Sequence, residues 1–286
     1  MVESIKELRL ICEKDTRADR PVSEVLPRFF AIYITWVLLH TKISANQVTL
    51  LGFSFGVAAG ILFILGTGWY PILGAVFLLV NFQLDYVDGE IARYRKSGSL
   101  TGRYISTLFG HHLLETWVFI SLTFGAYNVL GDVRVFIFGF AAALSALMIR
   151  LAVFNTYSGV IEAGLKITAN GGKPKQIEET QDQETKVSPD SYVMSFMSSF
   201  GPFVYKVFEN LLSPGRELMI LTAAILDFVI VPIALWEGAQ MTFLSVVLIF
   251  WAVISVLAWL ALATIAIKKR TSETLFERLF SGYEKN

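Results

Sequence analysis

Residues 46–66 carry no charged side chain. At 1.5 Å per residue a helix of that length is about 30 Å long, the thickness of a bilayer's hydrocarbon core. Inside hydrocarbon the backbone must satisfy its own N–H and C=O groups, and a helix does so within one segment. The pattern recurs down the chain. Further spans are expected at about Trp69–Arg93, Leu100–Val129, Val135–Val160, Glu217–Trp236 and Gly238–Ile267. Phe29–Thr41 is apolar but too short to cross. Pro27 and Arg28 before it, and His40 and Lys42 after it, mark a helix lying in the interface. With 54% hydrophobic residues and a mean hydropathy of +0.57, the chain is too apolar for an ordinary soluble domain. The expected fold class is an all-α integral membrane protein with six transmembrane helices and an N-terminal interfacial helix.

Three regions follow. Residues 1–42 form cytosolic and interfacial N-terminal helices, 43–270 the six-span membrane domain, and 271–286 a cytosolic tail. A cytosolic loop at 165–213 interrupts the membrane domain. Within it, 166–190 are polar and read as flexible, while Phe203, Val204, Val207, Phe208 and Leu211 form the stripe of a surface helix. Lys+Arg and Asp+Glu both number 24, so nothing in the charge suggests nucleic acid. The single cysteine, Cys12, allows no disulfide within the chain, and with no apolar h-region at the start no cleavable signal peptide is expected. Of the 24 Lys and Arg, only Arg134 falls in the turns on one side of the spans. Basic residues stay cytoplasmic, so both termini and residues 85–93 of this multi-pass protein are expected on the cytoplasmic side. In the first span, Gly52, Gly56 and Gly60 recur every fourth residue, a stripe that lets another helix approach closely.

Asp85-Tyr86-Val87-Asp88-Gly89-Glu90-Ile91-Ala92-Arg93 ends the second span. Asp85 and Asp88 are three apart, so both carboxylates share one helical face, with Asn81 one turn earlier. Carboxylates at the end of a membrane helix are costly unless a positive group meets them. Paired hard oxygen ligands suit Mg²⁺, Mn²⁺ or Ca²⁺. Gly89 removes a side chain where a ligand approaches the backbone, and Arg93 adds a fixed positive charge one turn on.

This stretch resembles the signature of the CDP-alcohol phosphotransferase family: Asp-x-x-Asp-Gly-x-x-Ala-Arg, eight residues, Gly, three residues, Asp, three residues, Asp. Asp85, Asp88, Gly89, Ala92, Arg93 and Gly102 fit; Ser106 and Gly110 stand where the family has its third and fourth aspartates. The start of the first span is similar too, with Asn46 and Thr49 matching and Ala45 in place of proline. The resemblance implies Asp85 and Asp88 as ligands of Mg²⁺ or Mn²⁺, and Asn46, Thr49, Gly89, Ala92, Arg93 and Gly102 as the nucleotide side. It implies a CDP-alcohol and a hydroxyl acceptor as partners, one of them a lipid, with release of CMP in phospholipid synthesis. A homodimer is among the expected assemblies.

The base must come from elsewhere. His111 and His112 follow the empty fourth position, and Glu115 lies three to four residues on, placed to orient either imidazole. These three are the candidate catalytic residues. In a straight α-helix, however, the Thr107–His111 stripe lies about 100° round from Ser106 and Gly110, so a bulge or turned helix is required. Hydrogen bonding between helices is the alternative role of the pair. Arg150 and Asp227 are expected to form an ion pair between spans, with Arg150 alternatively holding a lipid phosphate. Two other function classes stay open: a non-catalytic homologue that binds CDP or lipid, and a small membrane transporter.

Overall fold

The computed structural model describes residues 3–12, 22–169, 216–229, 233–236 and 239–268. The surface helix expected at 191–213, most of the flexible loop and the 271–286 tail lie outside the described residues. In chain order come α1 (Ile5–Cys12), α2 (Val22–Leu39), α3 (Ala45–Leu65), α4 (Tyr70–Tyr94), α5 (Leu100–Ile105), a π-helical segment (Ser106–Leu113) and α6 (Leu114–Leu130). Then follow α7 (Val135–Ala169), α8 (Arg216–Val229), the strands β1 (Ile233–Trp236) and β2 (Ala239–Met241), and α9 (Phe243–Lys268). Among the described residues, 5 helical runs are long and apolar enough to cross a membrane: Ala45–Leu65, Tyr70–Tyr94, Ser106–Leu130, Val135–Ala152 and Phe243–Ala261. Leu50, Ile61, Leu73, Val76, Ile137 and Phe140 are exposed on them, an outward apolar surface suited to hydrocarbon. The protein is a helical, multi-pass membrane protein.

Local chemistry sets the boundaries. Ser44 and Gln47 form a capping box at the start of α3: Gln47 N–H donates to Ser44 Oγ (3.3 Å) and Ser44 N–H to Gln47 Oε1 (2.8 Å). Gly66 and Gly131, at φ +72° and +66°, end α3 and α6. Within the fifth expected span, α8 runs to Val229 in the described residues, and Ile233–Trp236 is strand β1 rather than helix. β1 and β2 then pair antiparallel, Ile233 opposite Met241. The last span starts at Phe243 rather than Gly238 because its caps are there. Thr242 N–H donates to Ser245 Oγ (3.0 Å) and Ser245 N–H to Thr242 Oγ1 (3.1 Å). Asp227 accepts from the N–H groups of Phe243 (2.5 Å) and Leu244 (2.9 Å). Expected in an ion pair, Asp227 instead caps α9, where the first amides have no intrahelical acceptor. α7 runs to Ala169, beyond Val160.

The chain divides into two compact units, and residues 1–144 with 206–253 form the one holding every candidate site residue. In it α3 packs on α4 and α6. A Cβ at Gly56 would stand 2.3 Å from Leu114 Cδ1, and one at Gly60 2.0 Å from Trp117 Nε1. The glycine stripe is thus a packing surface, and Trp117 Nε1–H donates to the carbonyl of Val57 across it (3.2 Å). α1 and α2 pack against α4, with Leu8, Ile32, Val87 and Ile91 in one core. The second unit, 145–205 with 254–286, holds the later parts of α7 and α9, where Ala146 and Ser255 are buried.

Candidate active site

The candidate site gathers where α4 ends. Asp88 is 8% exposed, and Thr49 Oγ1–H from the first turns of α3 donates to its Oδ2 at 2.5 Å. A Cβ at Gly102, on α5, would lie 2.9 Å from Asn46 Oδ1 of α3, and Gly102 N–H donates to Ser99 Oγ (3.0 Å). A Cβ at Gly110, in the π segment, would lie 3.5 Å from Asp85 Oδ1. Residues from α3, α4, α5 and the π segment therefore meet pairwise: Thr49 with Asp88, Asn46 with Gly102, Gly110 with Asp85. Glycine on the facing helix leaves the Asp85 carboxylate open on that side.

The required departure from an α-helix is present: Ser106–Leu113 is π-helical. Its bonds run i→i+5, so each turn holds more residues than in an α-helix, and residues four and five apart draw toward one face. Ser106 opens the segment and is half-buried. The His111 side chain lies outside the described residues. The His112 carbonyl accepts from Thr116 Oγ1–H at 2.9 Å.

Three side chains take contacts that the sequence did not reveal. Glu115 bonds to Arg216 Nη1 at the start of α8, and Arg216 Nη2 also holds Glu217 Oε1 at 2.8 Å. The Glu115, Arg216 and Glu217 side chains are only 19%, 18% and 4% exposed. Arg216 was legible only as an isolated cation opening an apolar run. Arg93 lies over Gly89, its Nη1 3.1 Å from the place of a Cβ, and its Nε–H donates to the carbonyl of Cys12 in α1 at 2.6 Å. Glu90, on the buried face, accepts from Thr35 Oγ1–H of α2 at 2.6 Å. Ala92 contributes its carbonyl to the turn after α4, accepting from Ser97 N–H (3.0 Å).

Among the described residues no three His, Cys, Asp or Glu side chains are grouped to hold a metal. Asp85 and Asp88 nonetheless fit a cation such as Mg²⁺ or Mn²⁺, which is bound by one or two carboxylates and completes its shell with water and substrate phosphate oxygens. A Cβ at Gly110 would meet only Asp85 Oδ1 within 4 Å, so no neighbouring side chain fills that place beside the carboxylate.

The family model for CDP-alcohol phosphatidyltransferase matches residues 42–177. Two crystal structures of phosphatidylinositol phosphate synthase (PgsA1) from Mycobacterium tuberculosis are similar in fold. The apo form is 20% identical with a TM-score of 0.52, covering 82% of this chain and 95% of that one. The form with CDP-DAG bound is 21% identical with a TM-score of 0.53, covering 83% and 94%. None of the curated proteins compared matches the chain. The family model spans Asp85, Asp88, Gly102, the π segment and α6, the elements that build the site: over residues 42–177 this chain carries a CDP-alcohol phosphatidyltransferase family domain.

Proposed function

We propose that the protein transfers a substituted phosphate from a CDP-alcohol to a hydroxyl acceptor, releasing CMP, in phospholipid synthesis at the cytoplasmic face. What carries this is the pairwise meeting of residues from separate helices, Thr49 with Asp88, Asn46 with Gly102 and Gly110 with Asp85, five of which match the family pattern while Gly110 stands at its empty fourth position. CDP-DAG bound to a relative of this fold supports a CDP-linked lipid as donor. A divalent cation, which Asp85 and Asp88 would hold, would offset charge on the diphosphate and on departing CMP. Thr49 Oγ1–H anchors Asp88 at its Oδ2. Asn46 and Gly102 close the nucleotide side, where a larger residue than glycine would meet Asn46. The acceptor oxygen forms a bond to the phosphorus distal to cytidine, and the bond from that phosphorus to the bridging oxygen of CMP breaks. The hydroxyl proton goes to an imidazole of His111 or His112, since Gly110 has no side chain to take it.

Release of CMP from a CDP-alcohol by the purified protein with Mn²⁺, set against Asp88→Asn, tests this. Turnover in the parent and none in the variant is expected. The bare Gly110 beside Asp85 favours one alternative, a homologue that binds the nucleotide without turning it over. Calorimetric binding of CDP with no CMP released under any acceptor would establish that alternative instead.

A further inference from the structure

α1 is fastened to α4 by contacts that end on one motif residue. Leu8 and Cys12 are fully buried, in one core with Ile32 of α2 and Val87 and Ile91 of α4. Arg93 Nε–H donates to the carbonyl of Cys12, in α1, at 2.6 Å. The Cys12 thiol donates to the carbonyl of Glu90 (3.6 Å), and Tyr94 Oη–H donates to the Glu3 carboxylate just before α1. Residues 90–94 are thereby gripped from one side by a single short element.

The guanidinium is planar and its fork of donors rigid, so fixing Nε fixes the direction of the other nitrogens. Nη1 lies across Gly89, the backbone position next to Asp88 that carries no side chain. An arginine not held in this way samples many rotamers, and a ligand that needs one of them bears the cost of ordering it. We propose that α1 is a positioning element that preorganises Arg93, so that its remaining donors meet the diphosphate of the CDP-alcohol over Gly89. This rests on the function proposed above. Leu8 and Cys12 are positioning residues that act through Arg93 and touch no reacting atom.

A mutant cycle on the full-length protein tests it, with the affinity for CDP measured calorimetrically in Mn²⁺. Leu8→Asp places a charge in the buried core and expels α1. Deletion of residues 2–12 removes α1 without burying a charge and must agree with it. Arg93→Lys keeps the charge but loses the fork. Each is expected to weaken CDP binding ~10-fold, the loss of one aligned charge-assisted hydrogen bond. Combining Leu8→Asp with Arg93→Lys is expected to weaken binding no further than Arg93→Lys alone, and Leu8→Met is expected to bind like the parent. In turnover, Leu8→Asp raises KM and leaves kcat within about twofold, as expected when substrate binding alone is affected. Effects that multiply in the double variant, or unchanged affinity after deletion of α1, overturn this inference alone. Failure of the parent to bind CDP at all overturns the proposed function, and this inference with it.

Discussion

Gly110 is the residue at which this site departs most from its motif, and its place 3.5 Å from Asp85 Oδ1 makes the departure testable. With two carboxylates, the cation depends on phosphate oxygens to complete its shell, so Mn²⁺ is expected to bind tightly only with CDP present. Gly110→Asp supplies a third carboxylate from the facing helix. Mn²⁺ titration followed by electron paramagnetic resonance should then show binding without nucleotide, at least ~10-fold tighter than in the parent, as an added charged ligand provides. Without metal the variant should melt lower, because the carboxylates repel, and Mn²⁺ should restore it. Equal nucleotide-free affinity in parent and variant would show that position 110 does not face the cation. For the proton, His111→Ala should slow CMP release by ~10²-fold with CDP affinity kept, and His112→Ala should do less. Profiles from pH 5 to 9 for both variants decide this, and full activity in the double variant removes histidine from the mechanism. Much of this site was legible in the sequence. Asp85 and Asp88 share a face by spacing alone, and Asn46 and Thr49 stand out by their match to the family pattern at the start of the first span. Arg93's hold on Cys12 was not legible, since it joins residues 81 apart through a carbonyl that any residue type would offer.

Between elements, the interaction with most at stake is Arg216 bridging Glu115 of α6 to its neighbour Glu217. All three charges are largely removed from solvent, so the guanidinium is needed chiefly to avoid leaving carboxylates unpaired. Arg216→Leu is expected to destabilise the folded protein by about 3–5 kcal/mol, and the triple variant Arg216→Leu, Glu115→Leu, Glu217→Leu to recover most of that. Denaturant unfolding in detergent, with the helix signal as readout, measures both. If the single variant is as stable as the parent, the cluster is not the joint between α6 and α8. Charge-free runs placed α3 and α4 to within a residue or so, because each is bounded by a glycine turn or by charged residues, while the expected fourth span stopped short of the end of α7. They carried the fifth span through Ile233–Trp236, which is strand β1, because uniform hydrophobicity does not separate helix from strand. The Glu115–Arg216 pair was invisible for a different reason: the partners are 101 residues apart and neither belongs to a repeat or motif.

For the molecule as a whole, the orientation we propose follows from where its cations fall. In the turn between α6 and α7 Arg134 pairs with Asp132 at 2.7 Å. Hydrogen bonds from Arg134 hold the Asp132 carboxyl below the usual carboxylate range. The pairing is therefore fully present above the ordinary carboxylate pKa and lost as pH falls through the lowered one; being exposed, it adds little to stability. Because Arg134 is its single basic residue, we propose that this turn lies on the side opposite the cytoplasm. In a Cys12→Ser background, an impermeant thiol reagent applied to intact cells should label a cysteine placed near Gly131 and none placed in 173–190. Labelling in 173–190 with none near Gly131 would invert the topology.

The π-helical segment has a consequence for how such a site changes over time. One helical run serves two angular phases: Gly110 must face Asp85, while Leu114 and Trp117 must fit against Gly56 and Gly60. A wide turn between them acts as a clutch. A wide turn takes up about one residue more than an α turn, so removing one residue from 106–113 and closing the turn to α-helix would leave both ends nearly in phase. The end locked into the glycine stripe would stay, and only the side chains within the turn, Gly110 among them, would move to new angles. A single-codon deletion or insertion here thus changes which side chain faces Asp85 while the bundle keeps its packing.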